Sequence, residues 1–197
     1  QRQMCIRDSY QAKKFEDAWE SLLRPWFAHH VAGAWQAERP VTIVVPTAAT
    51  LTYLKRRLLE SGMNTFGLSF LTPLTLRKRL FQAWPPTRKV ALREDLRFIM
   101  SLAAERLPGN TAVASIAHSP DTFVRTCDRL EAAGWGAEGL GNDSYRTVAV
   151  AYYDFLLQFG MQTLQSADFE LWRKSEKRNS LFQEVLLYGF SDRHWRH

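Results

Sequence analysis

The chain has 197 residues, which is long enough for one domain or for one domain with a large insertion. Hydrophobic residues make up 46% of it, so a sizeable core can form, and two cysteines are too few for a disulfide framework or a cysteine-based metal site. The formal net charge of +6 is compatible with a polyanionic partner such as nucleic acid, but charge alone favours an ordinary, mildly basic protein.

The first residues of the chain have an unusual sequence. Residues 3–8 are what the mosaic end of a transposon, used as a sequencing adaptor, would encode. We therefore predict that residues 1–9 are an adaptor artefact and not part of the fold. A natural N-terminal segment is the alternative.

The sequence contains no signal for a membrane or for secretion. No stretch is apolar for long enough to span a bilayer, and none combines the charged start and apolar middle of a signal peptide. We expect a cytoplasmic protein without a membrane partner.

Residues 10–84 predict the first part of an α/β domain. An amphipathic helix comes first and contains Pro25, which is expected to kink or break it. Val41–Val45 is an apolar, β-branched run, typical of a parallel strand that helices cover on both faces. A basic helix follows, then a second strand at Phe66–Phe70, and then a second basic helix that opens at Thr72.

Residues 85–180 predict an insertion made only of helices. The predicted helices begin at Arg88, at Pro120 after a Ser119 cap, after a cap at Asp143 or Ser144, and at Ala167. Cys127 falls on an apolar helix stripe, so we predict a core residue rather than a nucleophile.

Residues 181–197 predict a return strand of the same sheet. Val185–Tyr188 is apolar and is expected to be a buried strand. A parallel strand normally feeds another crossover, so we expect that the open reading frame is cut short after His197. The predicted fold class is therefore α/β, with a parallel sheet and a large all-helical insertion.

The residue pattern favours binding over catalysis. A phosphate-binding loop needs a Gly-Lys pair, and the sequence has none. No histidine has metal-ligand spacing to a cysteine or carboxylate partner, so we expect no catalytic residue, no metal and no cofactor in this stretch. The helix starts after the predicted strands, together with the basic helices, could hold the backbone of a single nucleic acid strand. The candidate DNA-binding residues are Thr47, Thr50, Lys55, Arg56, Thr72 and Arg77. The competing interpretation, favoured on composition alone, is that the basic residues are solvated helix faces.

Several segments together resemble a known family. Val44–Thr47 followed by Leu54–Leu58, then Ser69–Pro73, and finally Leu186–Asp192 after the insertion, resemble the first motor-like domain of AddB-type helicase–nuclease subunits. That family is grouped with the superfamily 1 helicases and processes broken DNA ends. The resemblance implies an N-terminal fragment with a P-loop-NTPase-like, helicase 1A-type domain. A PD-(D/E)XK nuclease domain would lie beyond the sequence given.

The resemblance also implies roles for individual segments. In active helicases, the segments that match Val45–Thr50 and Phe70–Leu74 contact DNA. The strand that matches Leu186–Tyr188 normally ends in an acidic magnesium motif, but here Gly189 and Phe190 follow it. We therefore expect an ATPase-inactive region that binds single-stranded or end-containing DNA in double-strand break repair and recombination.

Two alternatives stay open. The region could be a non-catalytic scaffold that docks a partner motor subunit, with the basic helices incidental. It could also belong to an unrelated nucleotide-binding enzyme whose phosphate loop lies upstream of the sequence given.

Overall fold

A computed structural model of the protein describes residues 14–34, 40–107, 111–175, 181–182 and 184–191. The chain divides into two compact units. The first, here called the sheet unit, comprises residues 1–80 and 178–197, and the second, the helical unit, comprises residues 81–177. The predicted adaptor segment, residues 1–9, lies outside the described residues.

Helices and short strands alternate along the chain. In order they are α1 (Phe15–Ala18), a π-helical turn (Trp19–Leu23), α2 (Arg24–Ala34), β1 (Val41–Val44), α3 (Ala48–Glu60), β2 (Leu68–Leu71), α4 (Pro73–Ala83), β3 (Lys89–Val90), α5 (Arg93–Glu105), α6 (Thr111–His118), α7 (Pro120–Ala132), a 3-10 turn (Ala137–Gly139), α8 (Asp143–Gln158), β4 (Met161–Gln162), α9 (Leu164–Ser175) and β5 (Val185–Leu187). The protein is therefore a mixed α/β structure, and no helix within the described ranges is both long and apolar enough to cross a membrane.

The sheet unit is built on three parallel strands in the order β2-β1-β5. The central strand β1 is buried along its whole length, as its apolar, β-branched sequence predicts. Helix α3 covers the sheet through Leu54 and Leu58, which are both fully buried. Gly62 then ends the helical segment with a positive φ of 72°, a conformation that side chains other than glycine rarely adopt. The predicted parallel sheet is confirmed.

The first helix changes its winding just before Pro25. The N–H of Arg24 reaches back to the carbonyl of Trp19, which closes the π-helical turn, and α2 continues from there. Pro25 lacks an N–H, and its ring crowds the carbonyl four residues earlier, so a wider turn at this point relieves both problems. The expected disturbance at Pro25 is thus a local π turn rather than a break. It leaves Trp19, Leu23 and Phe27 buried in the core of the sheet unit.

The core of the helical unit forms where α5, α7 and α8 pack together. Met100, Val124, Val148 and Tyr152 are completely buried there. Cys127 lies in the same core, which confirms its prediction as a core residue.

The helical unit also contains a two-stranded parallel sheet, so the prediction of an all-helical insertion is wrong. Strands β3 and β4 pair through two residues each, and the N–H of Ala91 extends the ladder to the carbonyl of Gln162. Two-residue strands are too short to show an alternating pattern in the sequence. Because Lys89 and Val90 belong to β3, the helix predicted from Arg88 begins only at Arg93.

Two smaller predictions also need correction. The cap of α8 is Asn142, whose side-chain oxygen accepts from the N–H of Tyr145, and not Asp143 or Ser144. The strand at Val185 was predicted to be buried, yet Val185 and Leu187 are 38% and 46% exposed. The reason is its position, because β5 is the outer strand of the described sheet and pairs there only with β1.

Candidate functional site at the carboxyl edge of the sheet

Two helices begin side by side at the carboxyl edge of the sheet. Val44 at the end of β1 is in register with Leu71 at the end of β2, and the N–H of Val45 donates to the carbonyl of Leu71. Since both strands run in the same direction, α3 and α4 start at the same edge. In open α/β sheets, this edge is where ligands bind, and helix N-termini there favour anions.

Thr47 organises the start of α3. Its hydroxyl oxygen accepts a hydrogen bond from the N–H of Thr50 at 3.1 Å, and the two hydroxyl groups lie 2.9 Å apart. The backbone N–H groups of Ala48 and Ala49 have no acceptor within the part of the chain that the structure describes, and both residues are exposed. These two amides are donors that an anion could use.

Thr72 holds the start of α4 more tightly. Its N–H donates to the hydroxyl of Thr75 at 2.7 Å, and the hydroxyl groups of the two residues lie 3.1 Å apart. Pro73 occupies the first helical position and has no N–H to offer. The start of α4 therefore has fewer open donors than the start of α3. The role of Thr75 was not predicted, although a threonine three residues after Thr72 is a capping signal that the sequence contains.

The tip of the third strand closes against the start of α3. The N–H of Tyr188 donates to the carbonyl of Val44, and Gly189 follows with a positive φ of 77°. A side-chain carbon at Gly189 would lie 3.3 Å from the methyl group of Thr50 and 3.6 Å from the ring of Pro46. The glycine thus sits where the resemblance places an acidic residue, while Asp192 falls outside the described residues.

Lys55 and Arg56 lie away from this edge. Helix α3 rises by about 1.5 Å per residue, so they lie about 12 Å beyond its start. The ammonium group of Lys55 lies 5.0 Å from the ring centre of Phe70, a cation–π contact. Arg56 is 77% exposed and pairs with Glu60 at 2.7 Å, and this hydrogen bond raises the pKa of Arg56. The predicted site is therefore split into a threonine-lined edge and a basic stretch in the middle of α3.

Two basic triplets, Lys55–Arg57 on α3 and Arg77–Arg79 on α4, each direct one arginine into the fold. Arg57 donates to Glu16 at 2.7 Å and lies over the ring of Trp19. Arg79 donates to the hydroxyl of Ser69 at 3.0 Å and lies over Phe182. Arg77, a predicted DNA-binding residue, is partly buried on α4 and has an interaction partner of its own. The most exposed cations of the two triplets are Lys55, Arg56 and Lys78.

Cys127 and His30, two groups that could act as catalysts, make structural contacts instead. Among the residues that the structure describes, no three His, Cys, Asp or Glu side chains form a group that could hold a metal ion. Burial raises the pKa of Cys127 to about 12, so its thiol stays protonated at neutral pH. His30 places its ring nitrogens against the carbonyl of Trp26 and the carboxylate of Glu184.

The carboxylate of Glu170 likewise has a structural role. Its burial alone would raise its pKa, but hydrogen bonds from Lys174, Thr87 and Gln162 outweigh burial and lower the pKa to about 2. Its carboxylate ties α9 to the segment before β3, where both the N–H and the hydroxyl of Thr87 donate to it.

No protein-family model and no curated protein sequence matches the chain. The features that bear on function are therefore the open amides at the start of α3 and the exposed cations along it.

Proposed function

We propose that the sheet unit binds the sugar–phosphate backbone of single-stranded or end-containing DNA, as an ATPase-inactive, helicase-like region of a helicase–nuclease subunit. The proposal places the protein in double-strand break repair and recombination in the cytoplasm. It also assigns the sheet to the P-loop-NTPase-like, helicase 1A-type fold. The observation that carries the proposal is the start of α3, where Thr47 and the two residues with open amides, Ala48 and Ala49, are exposed just beyond a buried parallel strand.

The arrangement suits a backbone ligand better than a base. The N–H groups of Ala48 and Ala49 are backbone donors at the positive end of a helix, where phosphate oxygens are favoured. Lys55 and Arg56 extend positive charge further along the same helix and are exposed. Contacts of this kind hold a strand without reading its sequence, and they weaken steeply as salt is added.

The same edge is poorly equipped for ATP hydrolysis. The glycine at position 189 follows the strand that would carry the magnesium-binding acid, and it packs on Thr50 and Pro46. The sequence has no Gly-Lys pair for a phosphate loop. Both observations support the ATPase-inactive part of the proposal.

The test is the binding of a labelled single-stranded oligonucleotide at low salt, followed by fluorescence anisotropy. The double charge reversal Lys55→Glu/Arg56→Glu is expected to weaken binding. It should also make the plot of log affinity against log salt shallower, by about 0.7 for each phosphate group that the variant no longer neutralises. The matched control is Lys89→Glu/Arg173→Glu, which changes the net charge by the same amount in the helical unit. Equal effects in the two variants would show that the affinity depends only on net charge and would refute the site.

A second variant should act in the opposite direction. Glu60 pairs with Arg56 at 2.7 Å and competes with a phosphate group for its guanidinium. Glu60→Gln removes that competitor, so binding should tighten, by about twofold if the exposed pair has the modest strength usual at a surface. Unchanged affinity would show that Arg56 does not contact the DNA.

The scaffold function remains the second candidate because of the outer strand. Val185 and Leu187 present exposed apolar side chains on β5, at the open side of the described sheet. A partner motor subunit could cover such a surface. Leu187→Lys should abolish capture of a motor subunit and leave oligonucleotide affinity unchanged if this candidate is right, whereas Lys55→Glu/Arg56→Glu should show the reverse pattern if the DNA-binding proposal is right.

A further inference from the structure

A cluster of charged side chains joins α5 and α7 of the helical unit and has no part in the function proposed above. Arg93 lies at its centre, with its Nε donating to Asp121 at 2.8 Å and a terminal nitrogen donating to Asp128 at 2.9 Å. The side chain of Arg93 also donates to the backbone carbonyl of Asp121. Arg93 of α5 therefore bonds to both aspartates of α7.

Two further arginines meet the same carboxylate. The Nε of Arg97 donates to one oxygen of Asp121 at 2.8 Å, and a terminal nitrogen of Arg125 lies 2.9 Å from the other oxygen. Both guanidinium groups are therefore held on the two oxygens of one carboxylate. The cluster contains three arginines against two aspartates, so it keeps one positive charge in excess.

Arg97 and Arg125 are not needed to close the contact between the helices. They are 48% and 68% exposed, whereas Arg93 is 31% exposed and already spans both aspartates. Arg97 uses only its Nε in this cluster, and its two terminal nitrogens have no acceptor within the described residues. The terminal nitrogens of a guanidinium form the planar fork that binds phosphate oxygens in pairs.

We propose that Arg97 and Arg125, held in place by Asp121 and called here the arginine clamp, bind a phosphate group. Asp121 fixes the two guanidinium groups before the ligand arrives, so less side-chain entropy is lost on binding than with two free arginines. The excess positive charge of the cluster favours an anion, and the open fork of Arg97 favours a tetrahedral oxyanion over chloride. The ligand is a phosphate ester, and its source is either a phosphodiester of a nucleic acid strand or a small free phosphate compound.

Only the nucleic acid source rests on the function proposed for the sheet unit. Phosphate binding by the clamp stands independently, because its residues are all in the helical unit. The two probes are therefore pyrophosphate, followed by calorimetry, and a labelled single-stranded oligonucleotide, followed by anisotropy, both with the full chain at low salt.

The variants separate the clamp from general positive charge. Arg97→Ala/Arg125→Ala should weaken pyrophosphate binding by about tenfold or more, as expected when charge-assisted hydrogen bonds are removed. Arg129→Ala/Arg173→Ala is the matched control, because it removes the same number of positive charges at two exposed arginines of the helical unit that do not contact Asp121. It should leave the affinity within about twofold of the parent value.

A charge-preserving variant guards against a trivial loss of fold. Arg97→Lys/Arg125→Lys keeps both charges and leaves Arg93 in place but has no forks, so it should also weaken pyrophosphate binding. The clamp is overturned if the parent protein shows no saturable pyrophosphate binding, if the lysine variant binds as well as the parent, or if Arg129→Ala/Arg173→Ala weakens binding as much as Arg97→Ala/Arg125→Ala.

The oligonucleotide distinguishes the two proposals. If pyrophosphate binding depends on the clamp but neither the parent protein nor any variant binds the oligonucleotide, the clamp binds a small phosphate compound and the proposed function is wrong. If Lys55→Glu/Arg56→Glu lowers oligonucleotide affinity but the clamp variants change neither probe, the proposed function stands and the clamp is wrong. Weaker binding of both probes in the clamp variants assigns the nucleic acid strand as the ligand.

Discussion

The two units handle their polar groups in opposite ways. In the sheet unit, parallel strands deliver two helix starts to one edge, and the amides of Ala48 and Ala49 are left open there. In the helical unit, helices pack flank to flank, and charged groups meet across the packing surfaces, as Arg93 meets Asp121 and Asp128. The difference shows that a parallel sheet brings the starts of successive helices to one edge, whereas helix packing brings charged side chains of different helices into contact.

The largest expected effects come from truncating the two cores. Leu54→Ala in the sheet unit and Met100→Ala in the helical unit each remove a fully buried side chain, so each should lower the free energy of unfolding by about 2–5 kcal/mol. Hydrogen exchange resolved by residue should place each destabilisation in the unit that carries the substitution. Labelling of the buried Cys127 thiol, in a Cys5→Ser background, gives a second readout for Met100→Ala. Equal loss of protection in both units from either variant would show that the two cores do not unfold separately.

The next effect concerns the tip of the third strand. Gly189→Ala places a side chain at a positive φ, which should lower the free energy of unfolding by about 1–2 kcal/mol. Gly62→Ala is the matched control, because it has a similar φ of 72° but would meet no atom within 4 Å, whereas Gly189→Ala would meet Thr50. The difference between the two melting temperatures therefore measures the contact with Thr50. A smaller destabilisation for Gly189→Ala than for Gly62→Ala would show that the tip of β5 does not close on α3.

The helix caps provide a pair of substitutions, one in each unit. Thr47 in the sheet unit and Asn142 in the helical unit each accept a hydrogen bond from the N–H three residues later. Thr47→Ala and Asn142→Ala should each lower the free energy of unfolding by about 1 kcal/mol in a denaturant titration. Only Thr47→Ala should also weaken oligonucleotide binding, and Thr47→Ser should preserve both properties. Weaker binding in Asn142→Ala as well would mean that stability, and not the edge of the sheet, controls affinity.

The smallest effect is a dependence on pH. Burial raises the pKa of Glu131, and the repulsion of Asp128 adds to it, although Thr163 donates a hydrogen bond to the carboxylate. A raised pKa in the folded state means that stability is present below the ordinary glutamate value and is lost as the pH rises through the raised one. Glu131→Gln should therefore raise the melting temperature at pH 7 and change it little at pH 4.

A surface glutamate of the same unit should show the opposite sign. Hydrogen bonds from its own backbone N–H and from that of Gly136 lower the pKa of Glu138. The stability contributed by Glu138 is thus present above its ordinary pKa and lost as the pH falls. Glu138→Gln should lower the melting temperature at pH 7 and have less effect in acid. The same sign for both variants would contradict the burial of Glu131.

Much of the sheet unit could be predicted because its signals are local. The β-branched run at β1, the threonines before α3 and α4, and Gly62 each indicate a strand, a cap or a stop within a few neighbouring residues. The π turn was predictable only as a disturbance near Pro25, since its winding depends on how the aromatic residues pack. The exposure of β5 depends on its outer position in the sheet, which no local pattern encodes.

The chemistry of the charged residues was less predictable because their partners are distant in sequence. Lys55 and Arg57 are two positions apart on one helix, yet one lies on Phe70 at the surface and the other reaches Glu16. Nothing near Arg57 in the sequence indicates that contact. Likewise, Arg97 meets Asp121 across two helices, and that pairing appears only when the helices are packed.

The π turn at Trp19–Leu23 determines which residues of the first helix lie on its buried face. Every fourth residue along this helix is buried, namely Trp19, Leu23, Phe27 and Val31. In a uniform α-helix, a spacing of four residues overshoots each turn, and Val31 would end about 120° around the axis from Trp19. The wider turn takes back part of that rotation, so an aromatic start and an aliphatic end share one face. The turn holds one residue more than an α-helical turn, because its closing hydrogen bond spans five residues. Deleting one residue inside it would therefore restore an α-helical turn and leave Phe15 and Trp19 close to their present face, whereas inserting one there would rotate them by about 100°.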